Sequence, residues 1–214
     1  TPLVSINLLK PSLQGLSEDE KWDLKRKQGL PVVGIDVKIV DESGREMPHD
    51  GESVGELLIR GPWVTCAYYN DPRSAESFTE DGYWRSGDAA TIDPNCYLKI
   101  VDRFKDLVKS GGEWISTVDL ENAIMAHPAV LEAGVIGVPH PEWEERPLAL
   151  VVLREEQKGS VSKQDILDFI APRFAKWQLP DDVVFVDELP KTSVGKIAKR
   201  LAREEFSDHY KGQA

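Results

Sequence analysis

The side chains able to do chemistry in this chain are carboxylates, cations and glycines rather than histidines or thiols. Asp88 follows Ser86 and Gly87; once ionised, it presents two acceptor oxygens, the complement of two neighbouring hydroxyls such as those of a ribose. Taken alone, an Asp after Gly is more simply a turn residue. Arg103, beside Asp102, carries a planar fork of donors suited to ribose or phosphate oxygens. Gly111 and Gly112 let the backbone take positive φ and approach another surface closely, although a plain hairpin turn also explains the pair. Lys196 follows Gly195 at the predicted start of a helix, where a positive charge opposes the helix dipole and has no stabilising reason of its own. It is not a P-loop lysine, because Pro190 stands where the first Gly is needed and Ile197 where Ser or Thr is needed. Lys191, Lys199, Arg200 and Arg203 read as a solvated basic face, and Lys105 and Lys109 also read as surface charge.

Elements of two kinds must hold these residues. Ser17 and Glu20 predict a capping box and a helix that ends before Gly29 and Pro31. From residue 32 onward the pattern turns to strands, over 37–40 and 55–61, separated by turns. Residues 83–85 predict a strand ending at Ser86-Gly87-Asp88, and 89–92 and 97–101 predict a hairpin about Asp93-Pro94-Asn95. Asp102 lies where that hairpin is expected to stop. Beyond it the pattern becomes a compact α+β alternation. Short strands flank Gly111-Gly112, a helix follows over 116–126, and strands cover 130–138 and 148–153 with a polar loop over 140–146. A capped helix over 162–171, a strand over 183–186 and a basic helix over 196–206 complete it.

Bulk properties narrow the function classes. The chain has 214 residues, 41% hydrophobic and 29% charged, enough for one large domain or two small ones. Its formal charge of -11 argues against a general nucleic-acid binder, which needs a basic face. No apolar run approaches the roughly 20 residues of a membrane span. Cys66 and Cys96 suit a reducing compartment. Neither they nor His49, His127, His140 and His209 have metal-ligand spacing, so no metal site is predicted within the chain. His127 and His140 each precede a proline and read as structural.

Three runs in register change the weighting of the candidates. GYWRSGDAATID (residues 82–93) is similar to the ribose-binding segment of the adenylate-forming superfamily. DRFKDLVKSGGEWIS (102–116) resembles that family's hinge and glycine loop, and PKTSVGK (190–196) resembles its C-terminal lysine loop. Within the superfamily, SGGEWIS resembles the medium- and long-chain fatty acyl-CoA synthetases. The likeness runs from about Gly34 to about Tyr210. It implies an α+β fold: the C-terminal piece of a β-subdomain (1–101), then a small mobile α+β lid domain (102–214) with a short central sheet and its hinge at Asp102.

The resemblance also implies roles. Lys196 is the catalytic lysine; Asp88 and Arg103 contact the ribose and phosphates, with Lys105, Lys109 and Trp114 around the nucleotide; Gly111 and Gly112 line the passage for coenzyme A. ATP, fatty acid and coenzyme A would be the substrates. The Mg2+ ligands and the family's phosphate-gripping loop would lie upstream of Thr1, which is no initiator Met. The chain is therefore expected to be the C-terminal part of a longer enzyme, a cloned fragment or proteolytic remnant, and inactive alone; similar synthetases often dimerise, through N-terminal regions outside this stretch. The C-terminal Lys-Gly-Gln-Ala is no peroxisomal tail, so the cytoplasm is expected. The competing readings are an aryl-CoA ligase, a luciferase, a peptide-synthetase adenylation domain, or a non-catalytic interaction module.

Overall fold

The fold is described by a computed structural model covering residues 2–211; Thr1 and the tail residues Gly212, Gln213 and Ala214 lie outside the described residues. The chain divides into two compact units, Thr1–Lys105 and Asp106–Ala214.

In the first unit, β1 (Ser5–Ile6), α1 (Glu18–Lys25) and β2 (Leu30–Pro31) precede a sheet of β3 (Asp36–Val40), β4 (Gly55–Arg60), β5 (Trp84–Ile92) and β6 (Leu98–Arg103). The expected capping box forms: Ser17 accepts from the Glu20 amide and Glu20 accepts from the Ser17 amide, so two orphan amides of the first turn are satisfied. The four strands are antiparallel, in the order β3-β4-β5-β6. Ile39, Leu57, Ile59, Ala90, Ile92 and Leu98 form their core. The strand expected to end at Ser86 instead runs on through Asp88 as β5. The register shift between Glu56 and Leu58, opposite Ala89 and Arg85, leaves extra residues on β5. Gly87, at φ 70, lets the strand bulge there rather than stop.

The second unit comprises β7 (Val108–Ser110), β8 (Glu113–Ile115), α2 (Thr117–Met125), β9 (Val130–His140), β10 (Glu144–Leu153), α3 (Lys163–Ile170), β11 (Asp182–Phe185) and α4 (Lys199–Phe206). β10 is the spine. It pairs antiparallel with β9 along its length, parallel with β11, and meets β7 at Glu144–Ser110. One core cluster gathers residues of α2 and α3, among them Leu120, Ile124, Ile166 and Ile170, against Val135, Ala149 and Val151. A second gathers Ile136, Val138, Leu148 and Leu150 with Ala202 and Tyr210. The alternation along β9 and β10 thus buries both faces of the sheet.

Two expectations fail here. The polar loop foreseen over 140–146 shrinks to three residues, because the β9–β10 ladder continues to His140–Glu144. Glu144 takes φ 70 to close the hairpin, and the polar side chains that suggested a loop find partners in neighbouring strands. The helix foreseen from Lys196 begins only at Lys199. Residues 190–198 instead close a small hairpin: Lys191 bridges Ile197, the Ala198 amide donates to the Pro190 carbonyl at 2.7 Å, and the Thr192 amide donates to the Lys196 carbonyl at 2.7 Å.

Candidate active site

The candidate residues fall into three groups. The first is a carboxylate–guanidinium pair at the end of the β5–β6 ladder. Asp88 and Arg103 are opposite one another in that ladder, and Arg103 Nη1 lies 3.2 Å from Asp88 Oδ1. Arg103 also donates to the Ser86 carbonyl at 3.3 Å, beside Gly87, where a Cβ would lie 3.8 Å from Nη1. Burial pushes the Asp88 carboxyl above its usual value, and the Arg103 charge pulls the other way. The result is an acceptor pair with a fixed cation beside it, half-buried and still open to a ligand.

Asp102 is not past the end of the hairpin. It is buried within β6, opposite Ala89, and its Oδ1 accepts the Arg103 amide at 2.7 Å. The ladder shifts register next to it, with Ala89 facing Asp102 and Ala90 facing Ile100. Lys105, exposed, is the last residue of the first unit.

The second group lies on the β7–β8 hairpin. Gly111 and Gly112 make its turn, both at positive φ (59 and 88), a pair that two-residue hairpins favour. Lys109 faces Trp114 across the rung, its ammonium 5.5 Å from the indole centroid and 3.9 Å from Glu144 Oε1. Beside the turn opens a cleft of about 570 Å³ lined by Ser110, Gly111, Glu113, Trp143, Arg146, Lys176, Trp177 and Asp181. Trp143 and Trp177 are 49% and 43% exposed, so each has an uncovered indole surface. Sequence reading missed this cleft, because its walls come from separate loops and no local pattern joins them. Trp143, a lone aromatic in the charged run from Glu142 to Arg146, was the signal available.

The third group is the hairpin at 190–198. Lys196 is exposed, and its amide is held by Thr192 Oγ1 at 3.2 Å while Gly195 turns at φ 80. The neighbours expected to form a solvated face mostly do not. Lys199 pairs with Glu121 at 2.7 Å with both side chains largely buried, Arg203 pairs with Asp106 at 2.7 Å, and Lys191 pairs with Glu132 at 2.7 Å. Arg200 is the solvated one, bound to Glu204 on its own helix. Of these five cations, Lys196 alone has no carboxylate partner among the described residues. Its charge is therefore available to a ligand.

The second and third groups sit at opposite ends of one sheet. The lysine hairpin is rooted at Glu132 and beside Gly134, where a Cβ would lie 3.5 Å from the Ile197 methyl. The glycine turn is rooted where β9 and β10 meet, with the Gly111 amide donating to the Trp143 carbonyl at 3.1 Å. At about 3.3 Å per residue, β9 separates the two roots by roughly 20–26 Å. Among the described residues, no group of three or more His, Cys, Asp and Glu side chains could hold a metal ion. None of the helices there is long and apolar enough to cross a membrane.

Comparison with known proteins defines the class. The family described as AMP-binding enzyme matches residues 1–69, and the AMP-binding enzyme C-terminal domain matches residues 119–196. The chain belongs to the adenylate-forming, AMP-binding enzyme family. It is 49% identical over 213 residues to a long-chain-fatty-acid–CoA ligase of Thermus thermophilus, covering 99% of this chain and 39% of that protein. It is 45% identical over 212 residues to a 3-methylmercaptopropionyl-CoA ligase of Ruegeria lacuscaerulensis, covering 99% of this chain and again 39% of the relative. Among solved structures, ATP-bound MatB from Rhodopseudomonas palustris superposes with a TM-score of 0.74 at 33% identity, covering 87% of this chain and 37% of that one. The chain thus spans about two fifths of the length of the curated relatives it matches.

Proposed function

We propose that this chain is the C-terminal part of an AMP-forming ligase that activates a fatty acid as acyl-adenylate and passes the acyl group to coenzyme A. In the first half-reaction a carboxylate oxygen attacks the α-phosphorus of ATP, the bond to the bridging oxygen breaks, and pyrophosphate leaves with that electron pair. In the second, the coenzyme A thiol attacks the acyl carbonyl, loses its proton, and AMP departs with its phosphate oxygen. Such chemistry depends on positioning and on charges placed where negative charge develops.

The single observation that carries the reading is the two-ended second unit. Lys196, a cation with no carboxylate partner among the described residues, and the side-chain-free turn, Gly111-Gly112, sit at opposite ends of β9. One end suits a step that gathers negative charge at a phosphate. The other suits a step in which a thin, extended thiol must slip past backbone. In this reading the unit offers one end to the acyl-adenylate in each step and turns between them. We place the pivot at Asp102, where β6 shifts register three residues before the first unit ends.

In the same reading Asp88 and Arg103 receive the nucleotide's ribose and phosphate, with Lys105, Lys109 and Trp114 reaching the nucleotide as the second unit turns. The cleft beside the glycine turn receives the nucleotide end of coenzyme A: two indole faces suit an adenine, and Lys176 suits its phosphates. Among the described residues no cluster of acidic groups forms a metal site; in this reading the ion accompanying ATP is held by its phosphates and by residues upstream of this stretch. Both cysteines are exposed and free, which supports a reducing compartment, taken as the cytoplasm.

The test is ATP–pyrophosphate exchange by the full-length enzyme across carboxylic acids of increasing length, followed by thioester formation with coenzyme A. Exchange rising with medium or long chains is expected. A preference for short thioether acids, the second reading, is favoured by the name of the Ruegeria relative. No exchange with any acid would refute both.

A further inference from the structure

Arg146 is a buried guanidinium that the proposed chemistry does not use, yet every one of its donors is engaged. Nε and Nη2 donate to the two oxygens of Asp181 at 2.8 and 2.6 Å. Nη2 also donates to the Leu179 carbonyl at 3.0 Å, and Nη1 to the Trp177 carbonyl at 2.7 Å and Ser110 Oγ at 2.8 Å. A guanidinium has five N–H groups in a rigid plane, and here five acceptors surround it. Four of them belong to a loop that forms one wall of the cleft, and the fifth belongs to the residue before the glycine turn.

Arg146 is also one member of a clamp. The three residues entering the turn are each held from the strap 143–146. The Lys109 amide donates to Glu145 Oε2 at 3.3 Å, the Ser110 hydroxyl accepts from Arg146, and the Gly111 amide donates to the Trp143 carbonyl. The Trp143 ring lies against Gly111 closely enough that a Cβ there would meet Cε3 at 3.1 Å. The glycine turn and the wall at 177–181 are thus joined through one rigid side chain, and the distance between them is set by the size of that fork.

We propose that Arg146 is a positioning residue for the second half-reaction, fixing the glycine turn against the Trp177–Asp181 wall so that the thiol arm of coenzyme A is aligned on the acyl carbonyl. This inference rests on the function proposed above. Lysine cannot replace it: an ammonium has three donors and no plane, so it can hold Asp181 or Ser110 but not both walls in register. A misplacement of about 1 Å near a reacting group costs on the order of 10²-fold in rate.

The experiment uses the full-length enzyme with Arg146→Lys and Ser110→Ala, measuring ATP–pyrophosphate exchange and, separately, single-turnover transfer from preformed acyl-adenylate to coenzyme A. Arg146→Lys is expected to leave exchange within about 2-fold of wild type and to slow transfer about 10- to 100-fold, most of it at saturating coenzyme A. Ser110→Ala, which removes one hydroxyl and leaves the rest of the network, should slow transfer by about 3- to 10-fold, again with exchange intact. Equal losses in both halves for the two variants would mean a structural role only, and unchanged transfer in both would mean that the clamp does not position the turn; either overturns the inference. A wild-type enzyme that exchanges but does not transfer, or does neither, overturns the underlying function and the inference with it.

Discussion

The two glycines of the β7–β8 turn have unequal reasons to be glycine, and their substitution by alanine separates those reasons. Both sit at positive φ, 59 for Gly111 and 88 for Gly112. A side chain in that region costs about 1–2 kcal/mol. At Gly112 nothing lies within 4 Å of an added Cβ, so Gly112→Ala should cost only that backbone term. At Gly111 the added Cβ would lie 3.1 Å from Trp143 Cε3 and 3.4 Å from Cζ3. Overpacking of this kind costs about 1–3 kcal/mol, and the ring has room to yield because Trp143 is 49% exposed, so the lower end applies. Gly111→Ala should therefore destabilise the hairpin by about 1 kcal/mol more than Gly112→Ala. Amide hydrogen exchange across β7 and β8 reads that local stability directly. Adding Trp143→Ala to Gly111→Ala should recover about 1 kcal/mol, which a double-mutant cycle isolates. Equal costs at the two positions, with no coupling to Trp143, would refute the reasoning.

Three further outcomes are expected. Lys199→Met strips the cation from Glu121, a largely buried carboxylate that also accepts the Val135 amide at 2.9 Å, and should lower stability by about 1–3 kcal/mol in urea titration. Arg200→Met, at an exposed pair, should change stability by less than about 0.5 kcal/mol in the same titration. For Asp88 the sign is set by its raised pKa: the folded state holds the proton more tightly, so this group favours folding below its ordinary value and the gain is lost as pH rises through its folded value. Arg103 opposes that rise, so Arg103→Met should move the acidic limb of AMP binding to higher pH, measured by calorimetric titration; a limb that stays put or moves lower would contradict the pairing.

What the sequence made legible was local. The Ser17 capping box, the Ser162 cap and the stop after residue 126 depend on neighbours three or four positions away, and each appears as expected. The α+β class was also legible, from alternation and turn chemistry. What failed depended on distant partners. Residues 140–146 looked like loop because their charges had no visible use; Arg146 finds that use in Asp181 and Ser110, far along the chain. Lys196 looked like a helix start because the basic helical pattern of α4 runs back into it, while the ladder from Pro190 to Ala198 holds it in a hairpin. Lys199 and Arg203 looked solvated because their carboxylates come from α2 and from the segment before β7. For the candidate site, the candidates themselves were nominated by motif resemblance. The placement of Lys196 and Gly111 at opposite ends of β9 was not, since it follows from the sheet.

The most direct test of the two-ended account compares Lys196→Ala with Gly112→Leu in the full-length enzyme, each half-reaction assayed alone. Lys196→Ala should lower adenylate formation by about 10²–10³-fold and spare acyl transfer from preformed adenylate. Gly112→Leu, whose side chain would enter open space beside the turn, should spare adenylate formation and block transfer. If both variants lose the same half-reaction, the two ends do not serve different steps and the account is contradicted.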